Sequence, residues 1–336
     1  MNKSPEREGT AHKSPGAAAR DMRRLTLLLS CLPRHPAALV QSPRLLEPRR
    51  RRVLANPCAR LSMAAGDGTG PFGTVFELPM KDGLCLALQL PEMSDQEPTL
   101  PISELHPLER DRLAHMKPAR KISFTGGRVA LRRALENFCS RETVACPVLP
   151  DELGAPTLPE GAMGSISHTH GLVAAAVSVP PDLLESLGST STAAGGAHSP
   201  LPLRAIGVDI EAVDRFLSPR AAIRCLHEVE RRTLADPPTG LDSSVELLLR
   251  VSIKEALYKA LHPLVRRTIR WHSVQVAPAK DGSCEVDFAE LEKQVGARLA
   301  VSASWSVRDG YFVTLANASI LGAAGGNGSE AAPTAV

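Results

Sequence analysis

The chain has 336 residues, 43% of them apolar and 22% charged, a balance that suits a globular protein with a sizeable core. An aromatic share of 3% argues against stacking on exposed rings as the main binding mode. The net charge of +3 conceals an asymmetry: residues 1–62 carry 13 Lys/Arg against 4 Asp/Glu, or +9, which leaves the remainder at −6.

Residues 1–70 read as a disordered basic leader, rich in Pro, Ala and Arg and without a sustained amphipathic period. Within it "MRRLTLLLSC" is a short apolar run set well inside the chain. Three readings stay open: a signal-like segment, an Arg-rich organelle transit peptide, or an over-extended frame with Met63 as the true start. No run is long and apolar enough to span a bilayer. Seven cysteines, odd in number and without a CxxC pair, read as reduced thiols in the cytoplasm, with no disulfide framework and no zinc site.

From Pro71 the pattern changes. "GTVFELP" and "GLCLALQL" alternate as paired strands do. A helical period runs over residues 103–135, with Val129, Ala130, Ala134 and Leu135 as its apolar stripe and Arg128, Arg132 and Arg133 around it. The Gly/Pro-rich "LPDELGAPTLPEGAMG" is loop, and "SISHTHGLVAAAVSVP" reads as strand, turn and strand. Residues 183–203 hold a Gly/Ser/Thr/Ala tract that predicts a flexible insertion between halves at 71–182 and 204–320. Ser218 before Pro219 predicts a capped helix running through Ala235, and a second helix covers "SSVELLLRVSIKEALYKALH" and ends at Pro263. Four more strands follow, and 321–336 reads as a disordered tail. The pattern is α+β, with no internal repeat visible and no Walker or Rossmann phosphate loop.

The strand "RAIGVDIEAVDRF" poses the chemical question. Ile206, Val208 and Ile210 share one face, so Asp209 and Glu211 project from the other, about 7 Å apart at their Cα atoms. Like charges so close are relieved by a solvated edge or by a divalent metal. Downstream, Glu255 and Lys259 lie four apart on one helix face, a spacing that alone signals no more than a surface ion pair. A lone His168 is equally ordinary.

Their order and spacing together carry more. "GAPTLPEGAMGSISHTH", then "IGVDIE", then "SIKEALYKAL", with "RKISFTGGRVALRRAL" upstream and "HPLVRRTIRW" downstream, resembles the Sfp-type 4′-phosphopantetheinyl transferases. The closer match is the branch typified by enterobactin synthase component D, a siderophore enzyme, and the likeness covers about 110–275. It implies two pseudo-symmetric α/β halves with the active site in the cleft between them. It also implies transfer of the 4′-phosphopantetheine arm of coenzyme A to a serine of an apo acyl or peptidyl carrier protein, releasing adenosine 3′,5′-bisphosphate.

Under that resemblance Asp209, Glu211 and Glu255 are the Mg²⁺ ligands, which suits a hard cation that prefers oxygen donors. Glu255 is the general base and Lys259 a second cation on the pyrophosphate, the two forming the catalytic pair. Arg120, Arg128, Ser167, His168, Lys254 and Lys259 hold coenzyme A. Arg266, Arg267 and Arg270, with Leu257, Leu261 or Leu264, are the expected carrier surface. The enzyme is expected to be a cytoplasmic monomer without nucleic acid or stable membrane insertion. Two positions depart from the family: Val251 replaces its usual aromatic, and Ala155 stands where it has lysine. The competing classes are a Mg²⁺-dependent pyrophosphate hydrolase and a nucleic-acid-binding protein acting through its basic leader.

Overall fold

The structure is a computed structural model that describes residues 72–92, 98–152, 154–180 and 204–323, all within one compact unit, Met63–Val336. The expected leader, the insertion at 183–203 and the chain beyond 323 lie outside the described residues.

Strand β1 (Thr74–Met80) turns back into β2 (Gly83–Gln89), as their alternating pattern requires. Helices α1 (Pro107–Leu113) and α2 (Pro118–Leu135) follow, so the single helical period splits in two. The break has a local cause. Lys117 precedes a proline and is extended, and Pro118 restarts the helix at its first position, where its missing N–H costs nothing. A turn of helix, α3 (Arg141–Val144), leads to β3 (Met163–Thr169) and β4 (Leu172–Ser178). The four strands form an antiparallel sheet in the order β1-β2-β4-β3, and α2 buries Phe124, Val129, Leu131 and Leu135 in a core shared with Leu86, Leu88 and Val173.

The second sheet begins with β5 (Arg204–Ala212). The helix expected from Ser218 to Ala235 is instead α4 (Pro219–Cys225), α5 (Glu228–Arg232) and a 3₁₀ turn. Leu226 is extended and fully buried, and breaking the helix there turns it into the core. Ser218 makes no capping bond. Helix α6 (Ser243–Val265) runs through Pro263 rather than stopping at it. The proline forfeits only its own bond to the Lys259 carbonyl, while Leu264 beyond it is drawn into the core. Then come β6 (Gln275–Pro278), β7 (Ser283–Asp287), α7 (Ala289–Val295), β8 (Ala297–Arg308) and β9 (Tyr311–Ala323). The last strand therefore continues past the expected boundary at 320. The sheet order is β5-β9-β8-β7-β6, antiparallel throughout.

This is the expected α+β architecture: two sheets, each with one long helix. Ile206, Val208, Ile210 and Val313 pack against Phe76, Ala87, Leu172 and Ala174 between them. The opposite face of β5 meets α6 so closely that Gly207 has no room for a side chain. A Cβ there would lie 1.9 Å from the Ala256 carbonyl oxygen and 2.8 Å from the Ala260 nitrogen, both backbone. Gly207→Ala is therefore expected to destabilise the fold by about 1–3 kcal/mol, because the strand or the helix must shift bodily. A thermal-unfolding midpoint equal to the parent's would refute this.

The structure also shows an internal correspondence that the sequence reading missed. His106 caps α1 and His227 caps α5, each in a capping box with the glutamate three residues on. Glu109 accepts from the His106 N–H, from both terminal nitrogens of Arg132 at 2.8 Å and from the Val148 N–H at 2.6 Å. Glu230 accepts from the His227 N–H, from Lys254 Nζ at 2.7 Å and from the Val276 N–H at 2.9 Å. In both halves one buried carboxylate ties a short helix, the long helix and the segment after it. An H-x-x-E pattern 121 residues apart is too short a signal to stand out in the sequence alone. Among the described residues no helix is long and apolar enough to cross a membrane.

Candidate active site

The site forms where edge strand β3 of the first sheet meets edge strand β5 of the second. No backbone ladder joins these edges; serine side chains do so instead. Ser165 Oγ accepts from the Val208 N–H at 3.1 Å, and Ser167 Oγ donates to Asp209 Oδ1 at 2.7 Å. Strand alternation places Ser165, Ser167 and Thr169 on one side of β3, and Asp209 and Glu211 on the α6 side of β5. The first half's serines and the second half's acids thus share one junction.

Asp209 is buried and fully engaged. Besides Ser167, its Oδ1 accepts from Lys259 Nζ at 2.8 Å, and its Oδ2 accepts from Ser252 Oγ at 2.7 Å. The Lys259 ammonium also donates to Ser167 Oγ at 2.8 Å and to the Val208 carbonyl at 2.9 Å. Glu211 is bound by Arg215 and, at 3.4 Å, by the Thr169 hydroxyl. Glu255 lies half-buried on α6, one turn before Lys259. Burial, then the charge of Asp209, pushes its carboxyl up to about 7. The same two causes, in the same order, push Glu211 up to about 7.

The charges of Asp209 and Glu211 both act on Glu255, so the three carboxylates lie in one another's fields. Among the described residues, however, no three acidic, histidine or cysteine side chains are gathered closely enough to clasp an ion. The side-chain partners explain this: Asp209 turns to Lys259 and two hydroxyls, and Glu211 turns to Arg215. In donor chemistry the set still fits a hard divalent cation. It offers oxygen donors only, and it carries a mutual repulsion that added positive charge relieves.

The expected coenzyme-binding residues divide. Arg120 reaches His168, its Nη1 standing 3.4 Å from Nε2. His168 is solvent-exposed; desolvation by its surroundings, then the charges of Arg120 and Lys259, pushes its imidazole down. Arg128 is buried rather than presented to solvent. Its guanidinium lies 3.9 Å over the Phe124 ring and its Nε donates to the Val148 carbonyl, while burial and then Arg120 push its pKa down to about 10. Ser167 serves Asp209 directly.

Lys254 corrects the expectation. Its ammonium is buried and donates to Glu230 and to the carbonyls of Cys225, Trp271 and Val274, at 2.7–3.0 Å. An ammonium has three protons, and these four acceptors consume them, so Lys254 holds the fold rather than a substrate. Leu257, Leu261 and Leu264, expected on the carrier surface, are core residues, whereas Arg266, Arg267 and Arg270 are exposed as expected. Val251, in the place of an aromatic, is buried in the same core. Sequence reasoning missed Thr169, Arg215, Ser252 and Thr314. Ser252, three residues before Glu255 on the same helix face, was within reach of a periodicity argument; Thr314, in an ordinary strand, was not.

Two family models match the chain: the 4'-phosphopantetheinyl transferase N-terminal domain over residues 108–178, and the 4'-phosphopantetheinyl transferase superfamily over 205–316. Together they span more than half of the chain, which belongs to the 4'-phosphopantetheinyl transferase superfamily. It is accordingly a transferase of that class. Among its relatives, the 4'-phosphopantetheinyl transferase Svp of Streptomyces mobaraensis is 28% identical over 221 residues, 65% of this chain and 80% of that one. The transferase Npt of Nocardia iowensis is 27% identical over 226 residues, 62% of this chain and 87% of that one. Among solved structures, the ACPS–CoA complex of Chronobacterium ammoniagenes is 18% identical with a TM-score of 0.28, covering 35% of this chain and 97% of that one.

Proposed function

We propose that the enzyme moves the 4′-phosphopantetheine arm of coenzyme A to a serine of an apo acyl or peptidyl carrier protein, with Mg²⁺ held by Asp209, Glu211 and Glu255. The observation that carries this reading is the junction itself, where three acids from β5 and α6 meet Lys259, His168 and Arg120. When bound, Mg²⁺ supplies positive charge to the pyrophosphate oxygens.

The carrier serine oxygen forms a new bond to the phosphorus bearing the pantetheine arm, and the pyrophosphate P–O bond breaks, releasing adenosine 3′,5′-bisphosphate. Glu255 takes the serine proton, directly or through a water, from its place beside Asp209 and Lys259. Lys259 offsets charge on the phosphates, and its position against Asp209 keeps it beside the acid cluster. Arg120 and His168 offer N–H donors to the nucleotide phosphates. Arg128, stacked on Phe124, contributes charge from within the first half.

The exposed Arg266, Arg267 and Arg270 offer positive charge to an acidic carrier. Unpaired cysteines among the described residues support a cytoplasmic setting, and a cleft completed within one chain supports a monomer. The run "RKISFTGGR" supports the enterobactin component D-like branch.

The test is to incubate the protein with coenzyme A, Mg²⁺ and an apo carrier. Transfer adds about 340 Da to the carrier, the mass of one phosphopantetheine arm moved intact by phosphoryl transfer. Cleavage of coenzyme A without that gain would instead make the protein a pyrophosphate hydrolase.

A further inference from the structure

Asp209 and Thr314 face each other across the β5–β9 ladder, and both side chains point at α6. There Ser252 stands one turn before Glu255. Ser252 Oγ donates to Asp209 Oδ2 at 2.7 Å, and a carboxylate only accepts, so the serine proton is committed to that bond. The oxygen of Ser252 remains free as an acceptor. Thr314 Oγ1 lies 3.1 Å from it, 3.1 Å from the Ser252 carbonyl and 3.4 Å from the Asp209 carbonyl. Every acceptor within reach of the Thr314 proton therefore belongs to Ser252 or Asp209. Ser252 and Thr314 are both 0% exposed and Asp209 is 5% exposed, so bulk water does not reach these hydroxyls.

We propose that Ser252 and Thr314 are positioning residues for the divalent cation, with Ser252 fixing Oδ2 of Asp209 and Thr314 fixing Ser252. The inference rests on the Mg²⁺ reading above. Lys259 and Ser167 govern Oδ1 from the cleft side, whereas Ser252 and Thr314 govern Oδ2 from the core side. The carboxylate is thereby held at both oxygens, and its rotation about the Cβ–Cγ bond is arrested. Removing the core-side pair frees that rotation without removing any charge.

The full-length variants Ser252→Ala, Thr314→Val and Thr314→Ser test this. Mn²⁺ binding is followed by calorimetry in the presence of coenzyme A, and the half-saturating Mg²⁺ for carrier modification is measured beside it. The expected result is roughly tenfold weaker metal binding for Ser252→Ala, as for other groups that orient metal ligands, and about threefold for Thr314→Val, with Thr314→Ser restoring the parent value. A purely structural tie would lower the unfolding temperature and leave both metal readouts unchanged, which would overturn the inference. Should Thr314→Val fail to fold, Ser252→Ala decides, since it breaks the same chain from the other side. A parent protein that modifies the carrier without any divalent cation would sink the Mg²⁺ reading itself. A metal-dependent parent with metal-insensitive variants would sink only the positioning role.

Discussion

Asp209→Asn is expected to lower kcat/KM for carrier modification by about 10²–10³-fold, the scale seen when one preorganised electrostatic group is lost from an active site. Asparagine has the size of aspartate, so packing is nearly preserved. Its amide, however, presents one acceptor and one donor where three donors converge: Ser167 and Lys259 on one oxygen, Ser252 on the other. Turned one way, its NH₂ group faces the Lys259 ammonium, which can only donate; turned the other, it is accepted by Ser252 only if that hydroxyl reverses its own bond. The Lys259 ammonium also loses its ion partner. Because the charge of Asp209 helps push Glu255 up, its loss lets that carboxyl titrate lower in the metal-free protein. A loss smaller than tenfold in a folded variant, or an unmoved Glu255 titration in the metal-free protein, would contradict the site as drawn.

Lys254→Met is expected to cost about 3–5 kcal/mol of stability, the range for breaking a buried ion pair by removing one partner. Methionine fills the aliphatic part of the space but strands Glu230, which is 3% exposed and keeps only the N–H groups of His227 and Val276. Three carbonyls lose a charged donor as well. If Lys254 instead held coenzyme A, the variant would keep its unfolding midpoint and show a raised KM for coenzyme A. Denaturant unfolding beside steady-state kinetics separates the two outcomes.

Much of the site could be read in advance, because strand alternation and helix periodicity are geometric. "IGVDIE" could bury its isoleucines only by presenting Asp209 and Glu211 together, and "KEALYK" could set Glu255 and Lys259 only on one face. Lys254 went astray for a related reason. Spacing places it one residue before Glu255, but a helix turns about 100° per residue, and its partner Glu230 comes from a part of the chain that no local pattern links to it. Arg128 and Arg132 stand beside the apolar stripe in the sequence, yet both are buried, one against an aromatic ring and one on Glu109. Long basic side chains enter a core when a distant acceptor waits for them, and that acceptor is invisible to a sliding window. Pro263 misled in the opposite direction: the local rule for a helix stop yielded to the burial of Leu264.

The twin glutamates at 109 and 230 supply a common origin for superposing one half of the enzyme on the other, independent of any motif. On that origin the halves diverge in how they grip. One closes on a planar guanidinium at two matched points, which tolerates little angular error. The other closes on an ammonium that spreads over four oxygens from separate segments. Arginine and lysine at these two positions are therefore not exchangeable, and comparison between halves belongs on the carboxylates, where the two blueprints still coincide.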